Sequence, residues 1–141
     1  MKKTTILCLV LVLSGAVLAV AVGKSVQSDD SVQVFWQKFK TAVINGNKEA
    51  VVTLSKFPIE IPYGIASIEN KGQLLGRYRE VFNDQTNAAR CFAKAKPEMD
   101  AEDPKQFAVA CPDAAGNLVV IYYFEQTETG WKFVALDNIN E

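Results

Sequence analysis

The chain has 141 residues, 15 Lys or Arg against 16 Asp or Glu, no His, and a formal net charge of −1. Scattered lysines in so even a balance exclude the basic stripe that a nucleic-acid binder presents. Without His, neither a Ser–His or Cys–His nucleophile pair nor a His–Asp base can be assembled, and a chain of this length makes one domain around one core.

The chain opens with Lys2 and Lys3, continues in the apolar run ILCLVLVLSGAVLAVAV, and offers Ala19-Val20-Ala21 as an A-x-A cleavage site. This pattern predicts a secretory signal peptide over residues 1–21. The alternative is an uncleaved anchor, since a run of about 17 apolar residues lies at the lower edge of what spans a bilayer. Cleavage would remove Cys8 and both early lysines, leaving 13 basic and 16 acidic residues, net charge −3, and no stable membrane anchor. Residues 22–30 read as a flexible polar lead-in to a single domain over 31–141.

Val32, Phe35, Trp36, Phe39 and Val43 form the apolar stripe of an amphipathic helix. Asp30 with Gln33 has the form of a capping box, which starts that helix near Asp30 or Ser31. Gly46 suits the left-handed closure of a helix, and Asn47 can cap a second one through Ala50, Val51 and Leu54. Pro58 bars Phe57 from the helical region and stops the pair. The segment 59–68, interrupted by Pro62 and Gly64, reads as an edge or bulged strand. Asn70 then caps a third helix through Leu74, Leu75, Tyr78, Val81 and Phe82 that ends near Asn83. Ala88, Ala89, Phe92 and Ala95 suggest a short fourth helix carrying Cys91.

A polar loop spans 94–105, and from there the period changes to that of strands. Gln106 to Cys111 is a short strand, Asp113 to Asn117 a hairpin connection, and LVVIYYF at 118–124 is apolar on both faces, as a central strand must be. Trp131, Phe133 and Ala135 alternate with Lys132, Val134 and Leu136 in the last strand. Helices followed by an antiparallel meander of about four strands define an α+β class. In an exported chain the two remaining cysteines, Cys91 and Cys111, favour a disulfide over a reactive thiol or metal ligand.

Two helices with an F-W-x-x-F-x-x-A-V-x-x-G-N pattern, a stretch running into F-P, a third helix and a closing G-W-K-F-V strand together resemble the nuclear transport factor two-like superfamily. Phe35, Phe39, Val43, Gly46, Asn47 and Leu54 fit its helical hairpin, and Trp131, Lys132 and Phe133 fit its last strand. The cystatin fold is the nearest competitor, but it has one long helix before the sheet. The resemblance implies N-terminal helices on a curved sheet in a cone-like domain, with a pocket between them. It also implies dimerisation through the exposed sheet face in many members, and functions from isomerase and dehydratase to ligand binding, so the fold does not choose among them.

Several side chains are candidates for chemistry. The resemblance implies an Asp with a Tyr donor, for which Asp137, Glu125, Tyr63, Tyr122 and Tyr123 are the available pieces; core aromatics and a wet strand end are the structural alternative. Trp36, Tyr63, Tyr78, Tyr122 and Phe133 are the candidate lining of a ligand site in the cone. Glu98, Asp100, Glu102 and Asp103 lack calcium-loop spacing and read as a solvated loop flanked by Lys94, Lys96 and Lys105. Arg77, Arg79 and Arg90 offer an anion site, against which Glu80 and Asp84 stand as ion-pair partners. No metal or cofactor motif is present; no Gly-rich phosphate loop follows a strand. The expected function is a small exported binding domain, for a small apolar ligand or a protein partner such as a cell-envelope hydrolase. An enzyme using Asp137 and a tyrosine, and a structural homodimer, are the alternatives.

Overall fold

The computed structural model describes residues 26–63 and 66–140, with the backbone alone over 26–30. The signal segment, its cleavage site, Cys8 and Gly64 lie outside the described residues.

Helix α1 (Val26–Ile44) buries Val32, Phe35, Trp36, Phe39 and Val43, the stripe expected of it. Residues 26–30 are already helical, which corrects the helix start near Asp30. Gly46 closes the helix at φ +64°, a conformation L side chains rarely adopt. The Asn47 side chain then accepts from the Ala50 amide at 3.1 Å and caps α2 (Lys48–Thr53), which buries Val51 and Val52.

The chain turns extended sooner than the proline pattern suggests. Strand β1 (Ser55–Glu60) contains Pro58 and pairs in parallel with the last strand. An edge position tolerates the missing proline donor, and a register slip between Ser55 and Glu60 accommodates it. Of the expected 59–68 strand, Ile59 and Glu60 belong to β1, and Ile59 also forms an antiparallel bridge with Ile68. Asn70 caps α3 (Lys71–Gly76) by accepting from the Gln73 amide at 3.0 Å. The single helix expected to run to Asn83 is instead interrupted: a π-helical segment spans Glu80–Asp84. Its Val81 carbonyl accepts a side-chain bond, from the Tyr122 hydroxyl at 2.8 Å. Helix α4 (Ala88–Phe92) is capped by Asn87, which accepts from the Arg90 amide at 2.9 Å.

Four further strands complete the sheet: β2 (Glu98–Met99), β3 (Gln106–Pro112), β4 (Leu118–Thr127) and β5 (Gly130–Asn138). Their order, β1-β5-β4-β3-β2, puts β4 at the centre, as its two apolar faces require. Five strands rather than about four, and one parallel pair in an otherwise antiparallel sheet, correct the sequence expectation. The extra strand is the two-residue β2, which lies in what reads as polar loop, while β1 takes the place of the expected 59–68 strand. A bulge in β5 pairs Phe133 with Phe124 and Ala135 with Tyr123, leaving Val134 between them. The inward phase consequently passes from Phe133 to Leu136 instead of Ala135, and the local twist and bend of the sheet increase.

The class is α+β, with α1 and the later helices packed on one face of a curved sheet and the other face free of helices among the described residues. The Cys91–Cys111 disulfide ties α4 to β3 with its Cα atoms 5.7 Å apart. No helix among the described residues is long and apolar enough to cross a membrane.

Candidate functional site

The space between helices and sheet is occupied by aromatic rings. Phe39 of α1 sits edge-on to Phe124 of β4 at 5.0 Å, Trp36 meets Phe92 at 4.9 Å, and Phe107 stacks on Phe124 at 4.6 Å. Among the residues proposed to line a cone pocket, Trp36, Tyr122 and Phe133 belong to this packing, with Phe133 6.0 Å from Tyr122. Tyr63 and Tyr78 are buried towards the same end, where both raise the Tyr122 phenol electrostatically, though burial is the larger cause. The Tyr78 ring packs on Phe82 at 4.7 Å with the Lys48 ammonium 5.2 Å from its centroid. Its hydroxyl is buried with no hydrogen-bond partner among the described residues.

The acid–base candidates lie on the opposite side of the sheet. Successive strand residues face opposite ways, so Tyr122 enters the core while Tyr123 does not. Asp137, opposite Ile121 in the ladder, shares the face away from the helices with Tyr123. Burial, and secondarily the Asp137 charge, raise the Tyr123 phenol above its ordinary range. Glu125 on that face is ion-paired with Lys56 at 3.2 Å, both side chains substantially exposed. The sheet thus separates Asp137 and Glu125 from Tyr122. Asp137 lies close enough to raise the Tyr123 phenol, and the two line a depression of about 470 Å³ whose walls include Pro58, Glu60 and Val134.

The charged clusters are engaged with themselves. Asp100 accepts the amides of Glu102 and Asp103 at 2.7 and 2.9 Å, and Asp103 accepts from Lys105 and Gln106, which folds the 98–106 loop about its own carboxylates. Among the described residues no group of three or more acids or cysteines is placed to hold a metal ion. Arg77 pairs with Glu80 at 2.8 Å and Arg79 with Asp84 at 3.1 Å, so these arginines are neutralised within their own segment.

A different concavity opens beside the core. A groove of about 750 Å³ runs between the 83–96 segment, which contains α4, and the β3–β4 hairpin. Its apolar surface comes from Ala95, Ala110, Pro112, Leu118 and the Cys91 half of the disulfide; Asn87, Arg90, Lys94 and Lys96 supply polar groups along α4 and the chain after it. Leu118 is 63% exposed, so its side chain is available to a bound molecule. Thr86 anchors one wall by donating to the Pro112 carbonyl at 2.7 Å. Sequence reasoning does not find this groove, because Lys94 and Lys96 read as flanks of an acidic loop. The Cys91–Cys111 pairing carries the missing signal: it requires α4 to lie against β3, and a cleft between helix and hairpin follows.

The fold and groove define a small α+β domain with a sheet face free of helices among the described residues and a surface cleft. No protein-family model and no curated protein sequence matches the chain. Among solved structures it is similar to one from the NTF2-like family of Streptomyces avermitilis, with 16% identity over 79% of this chain and 94% of that one, TM-score 0.46. It is also similar to an NTF2-like protein with a cystatin-like fold from Novosphingobium aromaticivorans (14% identity, 79% and 80% covered, TM-score 0.46). A third is a Mycobacterium tuberculosis protein in complex with estradiol-17β-hemisuccinate (12% identity, 75% and 90% covered, TM-score 0.43).

Proposed function

We propose that the chain is a small exported binding domain that takes its ligand in the groove between α4 and the β3–β4 hairpin. The observation that carries the reading is the division of space. Rings that touch one another occupy the helix-covered side of the sheet, whereas the groove combines an apolar floor with a few convergent polar groups at a volume typical of ligand sites. Export is supported by the disulfide at the groove wall, a bond that persists in oxidising compartments. A proton-transfer enzyme is less well supported, since the sheet separates Asp137 and Glu125 from Tyr122 and Glu125 is ion-paired with Lys56.

Native mass spectrometry of the protein purified from its own cell envelope, without reconstitution, tests this. A small bound mass is expected, and it should be lost in Leu118→Asp, which changes an exposed floor residue without touching the core. A bound mass that survives Leu118→Asp would move the site elsewhere. A co-purifying protein, or bare protein alone, would overturn the reading.

A further inference from the structure

We infer that the groove selects a single-chain organic carboxylate, an anionic head on an apolar tail; this rests on the groove being the binding site. Three cations and three acids line it, but they are not equally available. Asp84 is held by Arg79 at 3.1 Å. Asp113 turns back into its own hairpin, accepting from the amides of Ala115 and Asn117, each at 2.9 Å. Those bonds, the Asn117 amide first, hold its carboxyl below the ordinary range, so it stays ionised and keeps its full negative charge in the groove. Only Glu98 remains without such a commitment.

On the other side, Arg90, Lys94 and Lys96 make no ion pair among the described residues. Arg90 and Lys94 are four apart at α4 and its C-terminal turn, so they stand on one side of the helix, and Lys96 follows at the rim. With Asp84 offset by Arg79, these three cations stand against the charges of Asp113 and Glu98, so the groove carries a surplus of one positive charge in a chain that is net negative. The apolar floor of Ala95, Pro112 and Leu118 supplies a non-directional attraction for a tail, and the cations choose the sign of the head. Such exposed cations contribute little each, so they act on selectivity through their sum.

The test uses three amphiphiles of equal chain length, octanoate, 1-octanol and octyltrimethylammonium. Each is titrated into the isotope-labelled, disulfide-bonded protein while the amide signals of residues 86–96 and 110–118 are followed. Octanoate should move those signals at the lowest concentration. The Arg90→Gln/Lys94→Gln/Lys96→Gln variant, altered only at exposed positions, should weaken octanoate by about tenfold and leave 1-octanol unchanged. Raising salt should weaken octanoate alone. Equal binding of 1-octanol or of the ammonium, or an octanoate affinity unmoved in the variant, would overturn the carboxylate inference and leave the groove standing. If no amphiphile moves the groove signals, both the inference and the groove reading fail.

Discussion

Tyr122 and Tyr78 sit on either side of Phe82, yet only one of their hydroxyls has a place to donate. Tyr122 gives its proton to the Val81 carbonyl in the π-helical segment; Tyr78 is buried without a partner among the described residues. Removing a donor strands a buried carbonyl at a cost of about 1–3 kcal/mol, whereas removing an unpaired buried hydroxyl recovers its desolvation. Tyr122→Phe should therefore lower unfolding stability by about 1–3 kcal/mol, and Tyr78→Phe should leave it unchanged or raise it. Urea denaturation with matched slopes reads both; a Tyr78→Phe loss as large as that of Tyr122→Phe would mean the two phenols are equally engaged. Asp113 makes a second residue-scale case. Its folded carboxyl is held below the ordinary 3.8, chiefly by the Asn117 amide, so its contribution is present above that value and lost as pH falls through the folded one. Asp113→Asn should consequently be less stable at pH 6 and show a shallower loss of stability between about pH 4 and 2 than the parent. Parallel acid limbs in a thermal-melt series would show that the hairpin bonds carry no such linkage.

At the scale of elements, what was legible in the sequence was what a local rule decides. The α1 stripe, the Gly46 turn, the Asn47 and Asn70 caps and the central place of β4 each follow from spacing or a single side chain. What was not legible depends on partners distant in the chain. The parallel pairing of β1 with β5, the bulge at Val134 and the π-helical widening at Val81 are set by packing across the sheet, and no neighbouring residue announces them. The groove is missed for the same reason. The disulfide is the exception, because compartment and cysteine count give a long-range contact that periodicity cannot. It closes a 20-residue separation, α4 against β3, for which the chain-entropy model gives about 3 kcal/mol. Cys91→Ser/Cys111→Ser should lose stability of about that size and retain its far-ultraviolet spectrum. An unchanged melting temperature would mean that the Asn87 cap and the bond from Thr86 to the Pro112 carbonyl already hold α4 in place.

For the whole molecule, compartment, charge and covalent state are linked. A disulfide persists in an oxidising milieu, the apolar run at 6–22 would offer a route there, and loss of residues 1–21 would shift the net charge from −1 to −3. Helix α1 is already formed at Val26, so a cut after Ala21 would leave four residues ahead of the described helix and remove none of the core stripe that begins at Val32. Cleavage and folding are therefore compatible without rearrangement. Intact-mass analysis of the exported protein should give the mass of residues 22–141 less two hydrogens, and alkylation before reduction should add nothing. A mass retaining residues 1–21 together with membrane association would identify an anchored form. Two alkylated thiols would sever the link between export and the α4–β3 tie, and the groove wall would then rest on the Asn87 cap, Thr86 and the packing of Phe92.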